Sequence, residues 1–589
     1  MLIKQGIPVS PGIAICPAFV LESQDQPVRR RHVTPTRVAA QHEQLDIAIE
    51  ASIAEIETLR DQASAILGEQ MAAIFAAHIG MLRDQSLIGQ IRAMIDTEHW
   101  TVEYAVETVF ERLAATFARH QSPLLQQRVS DLRDLKRRLI RHIIGDTKSE
   151  LDAITSPVVV VAHDLTPSQT AALDKTKIKA LITDLGGRTS HTAILAHALG
   201  IPAIVGLENA TGQINTGDSL IVDGHRGLVI SEPDGAKLME YRQELRRAVA
   251  FDKELDTLAE LPAVTKDGTE IQLVGNIEFP EEIPDALAKG AQGIGLYRTE
   301  FLYLASDEVP GEEEQYEAYV KAIRLLGGRT LTFRTLDLGA DKLTEAMVQD
   351  VEYHERNPFL GCRSIRLCLQ NLPLFRTQLK AILRASTEGP VRIMFPLVSA
   401  VMELRQAKMV LMDVMEDLDD QGIDYAANIP IGMMIEVPSA ALQAVAFARE
   451  ADFFSIGTND LIQYTVAVDR SNERIANLYS AAHPAVIQLI KEVVRASQRG
   501  QTPVSLCGEM AGEPEFAMLL MGLGLRTLSI TPPAIPEIKK IIRSVSLEQC
   551  KRVARKVSQF ESERQIHNYL RSEVTKIMPE AFEGRSLGY

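Results

Sequence analysis

The 589-residue sequence is poor in cysteine: Cys16, Cys362, Cys368, Cys507 and Cys550 are scattered without CxxC spacing. That excludes a disulfide framework or a zinc-knuckle pattern and suits a reducing cytoplasm. It has no excess of positive charge. Lys and Arg number 62 against 78 Asp and Glu, a net charge of −16, which argues against nucleic acid or an anionic membrane surface as partner and favours a basic protein. No apolar run approaches the ~20 residues of a membrane-spanning helix, so no membrane insertion is expected. The first twenty residues, MLIKQGIPVSPGIAICPAFV, are apolar, but Pro8, Gly12 and Pro17 break any signal-peptide helix and read as turns between short strands. No low-complexity tract interrupts the chain. A hydrophobic fraction of 46% and a charged fraction of 24% are those of a folded multidomain protein.

The periodicity changes along the chain. Residues 1–24 read as strand, and 25–146 as long helices with apolar residues three and four apart. At 147–232 strands return (SPVVVVAHDL, KALITDL, IPAIVGL, DSLIVDG, GLVIS), and the opening strands are expected to join them, making the helical block an insertion. A charged stretch at 233–260 reads as a linker helix. From 261 to 575 eight strand-like runs recur with helices between them: IQLVGNI, QGIGLYR, TLTFRTLD, VRIMFPL, IPIGMMIEV, DFFSIGT, PVSLCGE and RTLSIT. Eight β-then-α units predict a closed parallel (β/α)8 barrel with its active site at the strands' C-terminal ends. Residues 576–589 form a tail. The fold class is multidomain α/β.

Polar residues gather at those strand ends. Asn276 follows the first strand, Arg298 and Glu300 the second, Arg334 and Asp337 the third, Glu436 the fifth, Asn459 and Asp460 the sixth, and Cys507 and Glu509 the seventh. Glu436 and Asp460 suit magnesium, which takes one or two carboxylates plus substrate oxygens. Arg298, Arg334 and Arg470 could clamp a small phosphorylated acid bidentately. At the barrel mouth the Cys507 thiol could deliver a proton to a carbanionic leaving group. A second constellation is TDLGGRTSHTAILAHALG, where Thr189 and Ser190 cap a helix that opens at His191. The helix dipole keeps that imidazole neutral and nucleophilic, and the same backbone donors can hold a phosphoryl group attached to it.

GGRTSHTAI, GLYRTEFLY, FRTLDLGADK, NPFLGCRSIR, DFFSIGTNDLIQYTVAVDR and CGEMAG together resemble Enzyme I, the phosphoenolpyruvate-protein phosphotransferase family of the bacterial sugar phosphotransferase system. The resemblance runs from about Pro8 to Arg543. It implies a phosphohistidine α/β domain, an inserted helical domain that docks the phosphocarrier HPr, and a dimerising barrel that turns phosphoenolpyruvate into pyruvate with Mg2+ or Mn2+. By motif, His191 is the phosphorylated residue, Cys507 the proton donor, and Arg298, Arg334, Asn459, Asp460 and Arg470 the phosphoenolpyruvate contacts. Glu436 and Asp460 hold the metal, and Thr170 supports the active imidazole. Cys362 stands where an aromatic residue is expected, and Ala340 where a glycine is. A dikinase would need an ATP-binding domain, for which neither a Gly-rich loop nor spare length exists. A nitrogen-type paralogue serving a specialised carrier is the alternative.

Between Glu43 and Glu111 thirteen Asp or Glu face three Lys or Arg, a local charge of −10. They sit on expected helices with an apolar stripe at Ile74, Phe75, His78, Met81 and Leu82. Either this is a solvated acidic face above a core stripe, or it steers and docks a basic carrier.

Overall fold

A computed structural model describes residues 1–21, 28–67, 69–119, 123–145, 154–165, 169, 173, 176–187, 192, 196, 200–304, 309–339, 357–470, 472 and 474–579. Among these the chain divides into two units, Met1–Ala248 and Val249–Glu583.

In the first unit the opening residues do join the later strands. The strands are β1 (Leu2–Gln5), β2 (Ile7–Ser10), β3 (Ile13–Val20), β4 (Val158–Ala162), β5 (Ile178–Thr183), β6 (Ala203–Val205), β7 (Ser219–Asp223) and β8 (Leu228–Ser231). They form one eight-stranded sheet in the order β1-β8-β7-β3-β4-β5-β6-β2. From β3 to β6 the pairing is parallel; β1–β8, β7–β8, β3–β7 and β2–β6 are antiparallel. The Val-rich β4 is buried along its whole length, as a central strand covered on both faces must be.

Between β3 and β4 lie helices α1 (Val38–Leu67), α2 (Glu69–Arg83), α3 (Gln85–Glu98), α4 (Val102–Arg119) and α5 (Pro123–Ile144). Asp84 caps α3 by accepting from the amides of Ser86 and Leu87. The helical core settles the apolar stripe of α2. Phe75, His78 and Leu82 are buried and Met81 is partly so, so most of the described part of the stripe packs inward, and Met81 remains at the surface beside Leu87, Leu113 and Phe117. Part of the acidic surplus is also consumed internally. Glu107 and Glu111 hold the buried Lys136 at 3.2 and 2.7 Å, Glu55 holds Arg138, Arg141 and His142, and Asp46 holds Arg92.

The charged stretch after β8 is a helix, α6 (Gly235–Asp256). Its first half belongs to the α/β unit: Tyr241 is buried with Ile221 and Ile230, its hydroxyl donates to Asp223 at 3.1 Å, and Glu244 pairs with Arg226 at 3.1 Å. The division between units falls inside α6.

The second unit is a closed barrel of eight parallel strands: β9 (Gln272–Ile277), β10 (Ile294–Arg298), β11 (Leu331–Arg334), β12 (Val391–Phe395), β13 (Ile431–Ile435), β14 (Phe453–Ile456), β15 (Val504–Leu506) and β16 (Thr527–Ile530). Each coincides with one of the eight runs read from the sequence. The period of two sorts the side chains. Ile393 and Phe395, like Met433 and Ile435, pack outward with the large helical core. Met394 and Met434, between them, join Leu296, Phe453 and Cys507 in a separate inner cluster. Cys507 faces inward because it continues the alternation past Leu506. No described helix is long and apolar enough to cross a membrane.

Candidate active site

The side chains that follow the strands meet at the C-terminal mouth of the barrel. Arg334, the last residue of β11, is buried and pairs with Glu300 and, at 3.0 Å, with Asp337. Asp337 also accepts from Arg363 at 3.0 Å, and Arg363 lies 3.6 Å from Asp460. Burial pushes Glu300 up despite the pull of Arg334. Asp337, equally buried, is held below the ordinary range by Arg334 and Arg363. The guanidinium of Arg334 is thus fixed by scaffold carboxylates on one side.

Glu436, just past β13, is buried and accepts from the Leu397 amide at 2.6 Å. Leu397 donates that bond at φ +52°, a left-handed conformation that costs a non-glycine residue about 1–3 kcal/mol and tends to be kept where function needs it. Burial, the charge of Asp460 and that of Asp337 push Glu436 well above the carboxylate range. Asp460 is also raised, by burial and by Asp337, against the opposing pull of Arg363 and Arg470. Two carboxylates both raised in this way, Glu436 in part by the charge of Asp460, lack a positive charge beside them, which a hard cation supplies. Gly457 leaves the room: a Cβ there would lie 2.7 Å from Glu436 Oε2. Among the described residues no group of three or more His, Cys, Asp or Glu forms a complete metal cage, so the fit is to a cation whose remaining ligands come from substrate and water.

Cys507 is 3% exposed. Its amide donates to Ile456 O of β14 at 3.0 Å, and its carbonyl accepts from Asn276 Nδ2 of β9 at 3.0 Å, so two other strands fix its backbone. Burial pushes the thiol up to about 11, with a hydrogen bond to Ser455 opposing. It therefore keeps its proton at neutral pH, as a proton donor must. The next residue, Gly508, packs so close to the helix Thr458–Val466 that a Cβ would stand 1.8 Å from Thr458 Oγ1. Only glycine lets the β15 loop lie there.

Asn459 Nδ2 donates to Glu509 Oε1 at 2.9 Å, and Arg470 Nη1 lies 3.6 Å from the same oxygen. Tyr479 donates its hydroxyl to Asn459 O at 3.0 Å. Arg298 Nη1 donates to Glu278 Oε1 at 2.7 Å. The structure thus brings Arg334, Asp460, Glu436 and Cys507 into one charged mouth, with Asn459 and Arg470 joined through Glu509.

Arg363, within NPFLGCRSIR, was not among the site residues expected from the sequence; its neighbour Arg366 donates to the loop carbonyls of Leu360 and Gly361. Cys362 sits 3.2 Å from Gln370 Oε1. Asn276, at the mouth by sequence, is a structural tie.

His191, Thr170 and Ala340 lie outside the described residues, as does Ile74 as a side chain. The ends of β4 and β5 in the same unit are described. There Asp184 is buried and accepts from Thr211 Oγ1 at 2.5 Å, from Thr211 N at 3.2 Å and from His163 Nδ1 at 3.3 Å. These bonds keep its carboxyl below the ordinary range although burial alone would raise it.

Three family models match the chain: "PEP-utilising enzyme, N-terminal" over 5–128, "PEP-utilising enzyme, mobile domain" over 154–227 and "PEP-utilising enzyme, PEP-binding domain" over 252–547. Relatives named phosphoenolpyruvate-protein phosphotransferase are 41% identical in Geobacillus stearothermophilus, covering 96% of this chain and 97% of the relative. In Staphylococcus aureus the figures are 40%, 97% and 100%, and in Bacillus subtilis strain 168 they are 39%, 94% and 96%. The chain belongs to the phosphoenolpyruvate-protein phosphotransferase family. It is an enzyme of the Enzyme I type, as its motifs led us to expect, and the nitrogen-type alternative is not favoured. The family's barrel model spans every strand of the closed barrel, so the mouth described above lies in its phosphoenolpyruvate-binding part.

Proposed function

We propose that the chain takes a phosphoryl group from phosphoenolpyruvate onto His191 and passes it to the phosphocarrier HPr, the first step of sugar uptake by the phosphotransferase system. The observation that carries this is the grouping of a protonated, buried thiol with guanidinium groups and two mutually repelling carboxylates at one barrel mouth. Arg334, held from behind by Glu300 and Asp337, would present its remaining donors to the phosphate, with Arg298 and Arg470 on the other oxygens and Asn459 on the carboxylate end. Glu436 and Asp460 would hold Mg2+, or Mn2+ in its place, which when bound neutralises the phosphate and the developing enolate. The neutral imidazole of His191, supported by Thr170, attacks in line; positioning and charge stabilisation dominate such a transfer. Cys507 then protonates the enolate carbon to give pyruvate.

In this reading 1–24 with 147–232 is the phosphohistidine domain and 25–146 the HPr-docking domain. The helix in 233–260 is the linker, 261–575 the substrate-binding and dimerising barrel, and 576–589 a tail. The protein works as a cytoplasmic homodimer.

Incubation with labelled phosphoenolpyruvate and magnesium, alone and then with HPr, tests the proposal. Wild type should take up acid-labile, base-stable label and release it to HPr, and His191→Ala should take up none. Full labelling of that variant would move the acceptor elsewhere.

A further inference from the structure

Each guanidinium assigned above to phosphoenolpyruvate rests on a carboxylate of this chain: Arg298 on Glu278, Arg334 on Glu300 and Asp337, and Arg470 on Glu509. These carboxylates are not equivalent. Glu300 and Asp337 are buried, cannot move away, and act as scaffold. Glu509 is 68% exposed at its side chain and sits on the short turn directly after Cys507. Its Oε1 accepts from Asn459 Nδ2 at 2.9 Å and lies 3.6 Å from Arg470 Nη1. One oxygen of one exposed carboxylate therefore engages two of the donors assigned above to the substrate, Asn459 and Arg470. The Glu509 amide separately donates to Asn459 Oδ1 at 3.0 Å, so Asn459 is oriented by backbone and does not need the side chain to aim it.

We propose that Glu509 is an internal competitor: its carboxylate stands in for the substrate's anion at Asn459 and Arg470 and must swing into solvent when phosphoenolpyruvate binds. This rests on the assignment of Asn459 and Arg470 to the substrate and adds a residue that sets its affinity. The physical grounds are two. A donor pair whose second partner is a solvated carboxylate is neither desolvated nor collapsed onto the neighbouring Asp460 while the site is empty, which keeps it organised. The same interaction has to be broken on binding, so it weakens the substrate by whatever it is worth. An exposed ion pair with one good hydrogen bond corresponds to a factor of about two to five in an equilibrium constant. A penalty borne equally by the Michaelis complex and the transition state changes KM and leaves kcat alone.

The experiment is steady-state pyruvate formation with HPr as acceptor, using Glu509→Gln and Glu509→Ala beside wild type. Both variants should lower KM for phosphoenolpyruvate about two- to fivefold at unchanged kcat, with the gain shrinking at high salt as exposed pairs are screened. If Glu509 instead aims Asn459 through its side chain, Gln keeps the accepting oxygen and should behave as wild type while Ala raises KM; that result overturns the proposal, as does an unchanged KM in both. Arg470→Ala separates the two levels. A large rise in KM there, with no fall in the Glu509 variants, rejects the competitor alone; a wild-type KM in Arg470→Ala rejects the underlying assignment as well.

Discussion

Replacing Cys507 by alanine should abolish net pyruvate formation while leaving the barrel folded. The thiol is buried in a small apolar cluster with Leu296, Met394, Met434 and Phe453, so losing one sulfur atom there should cost only about 1 kcal/mol of stability. The catalytic cost is larger, since a positioned general acid contributes about 10²–10⁴ in rate. Reactivity of the thiol gives an independent check. With its pKa pushed up to about 11 by burial, only about three parts in ten thousand are thiolate at pH 7.5, against roughly a tenth for an ordinary thiol. That deficit of about 300-fold is offset roughly 13-fold by the greater nucleophilicity of a more basic thiolate, so alkylation should run about twentyfold slower than for an exposed cysteine of ordinary pKa before any steric shielding. The sign with pH follows: the rate should climb about tenfold per unit and keep climbing beyond pH 9, where an ordinary thiol levels off. Peptide-resolved mass spectrometry after timed iodoacetamide exposure measures this, and the modified fraction should track loss of pyruvate formation. Full turnover by Cys507→Ala, or alkylation of Cys507 that saturates near pH 8.5, would refute the assignment of this thiol as a protonated donor.

The remaining expectations concern other parts of the chain. Glu436→Ala and Asp460→Ala should lose cation-dependent autophosphorylation by at least 10²-fold, yet still accept phosphate from phospho-HPr; loss of that reverse transfer would break the separation of the two half-reactions. Glu43→Lys with Glu50→Lys, both exposed on α1, should slow transfer to a basic carrier at low salt, with labelling by phosphoenolpyruvate unchanged; stopped-flow rates indifferent to salt and to these substitutions would remove electrostatic steering. Glu513 is pushed up to about 7 by burial and by Glu515 and Glu509. A carboxyl raised in the folded state binds its proton more tightly there, so its contribution falls as pH climbs from about 4.5 through 7. Glu513→Gln should therefore raise Tm at pH 8 and not at pH 5, and an equal shift at both would show that ionisation is not the cause.

How much could be read in advance depended on whether a residue's role is local. The eight barrel strands were legible because burial on both faces forces short apolar runs, and the residue after each run must stand at the mouth; Arg298, Arg334, Glu436, Asn459, Asp460 and Cys507 follow from that rule. The insertion was legible because β1, β2 and β3 have the turn residues of strands and nothing nearby to pair with. The stripe at Phe75, His78 and Leu82 was ambiguous for the opposite reason: spacing says that residues share a helix face, not whether another helix covers it, and here α2 turns it into the core. Glu509 was legible as a mouth residue but its engagement of Asn459 and Arg470 was not, and Arg363 was missed as a site residue, because their partners lie far along the chain. Arg363 meets Asp337 and Asp460, 26 and 97 residues away, only in the folded barrel, and Glu509 meets Asn459 only because Gly508 lets the β15 turn lie against Thr458.

Charge at the mouth follows from the same geometry. Parallel strands deliver their last polar residues to one end, so carboxylates from β13 and the β14 loop must lie near each other and near Asp337 whatever else the barrel does. In an apolar interior such a group would neutralise by taking up protons. Arg334 and Arg363, each bonded to Asp337, keep that carboxylate ionised, whereas Glu436 has only one amide donor and is raised furthest. The site is therefore balanced for an anionic substrate that arrives with positive charge beside it: the guanidinium groups alone would overbind the phosphate to the scaffold carboxylates' side, and the Glu436–Asp460 pair alone would repel it. Both conditions are met only when cation and phosphate enter together, so binding of either should tighten binding of the other by the same factor.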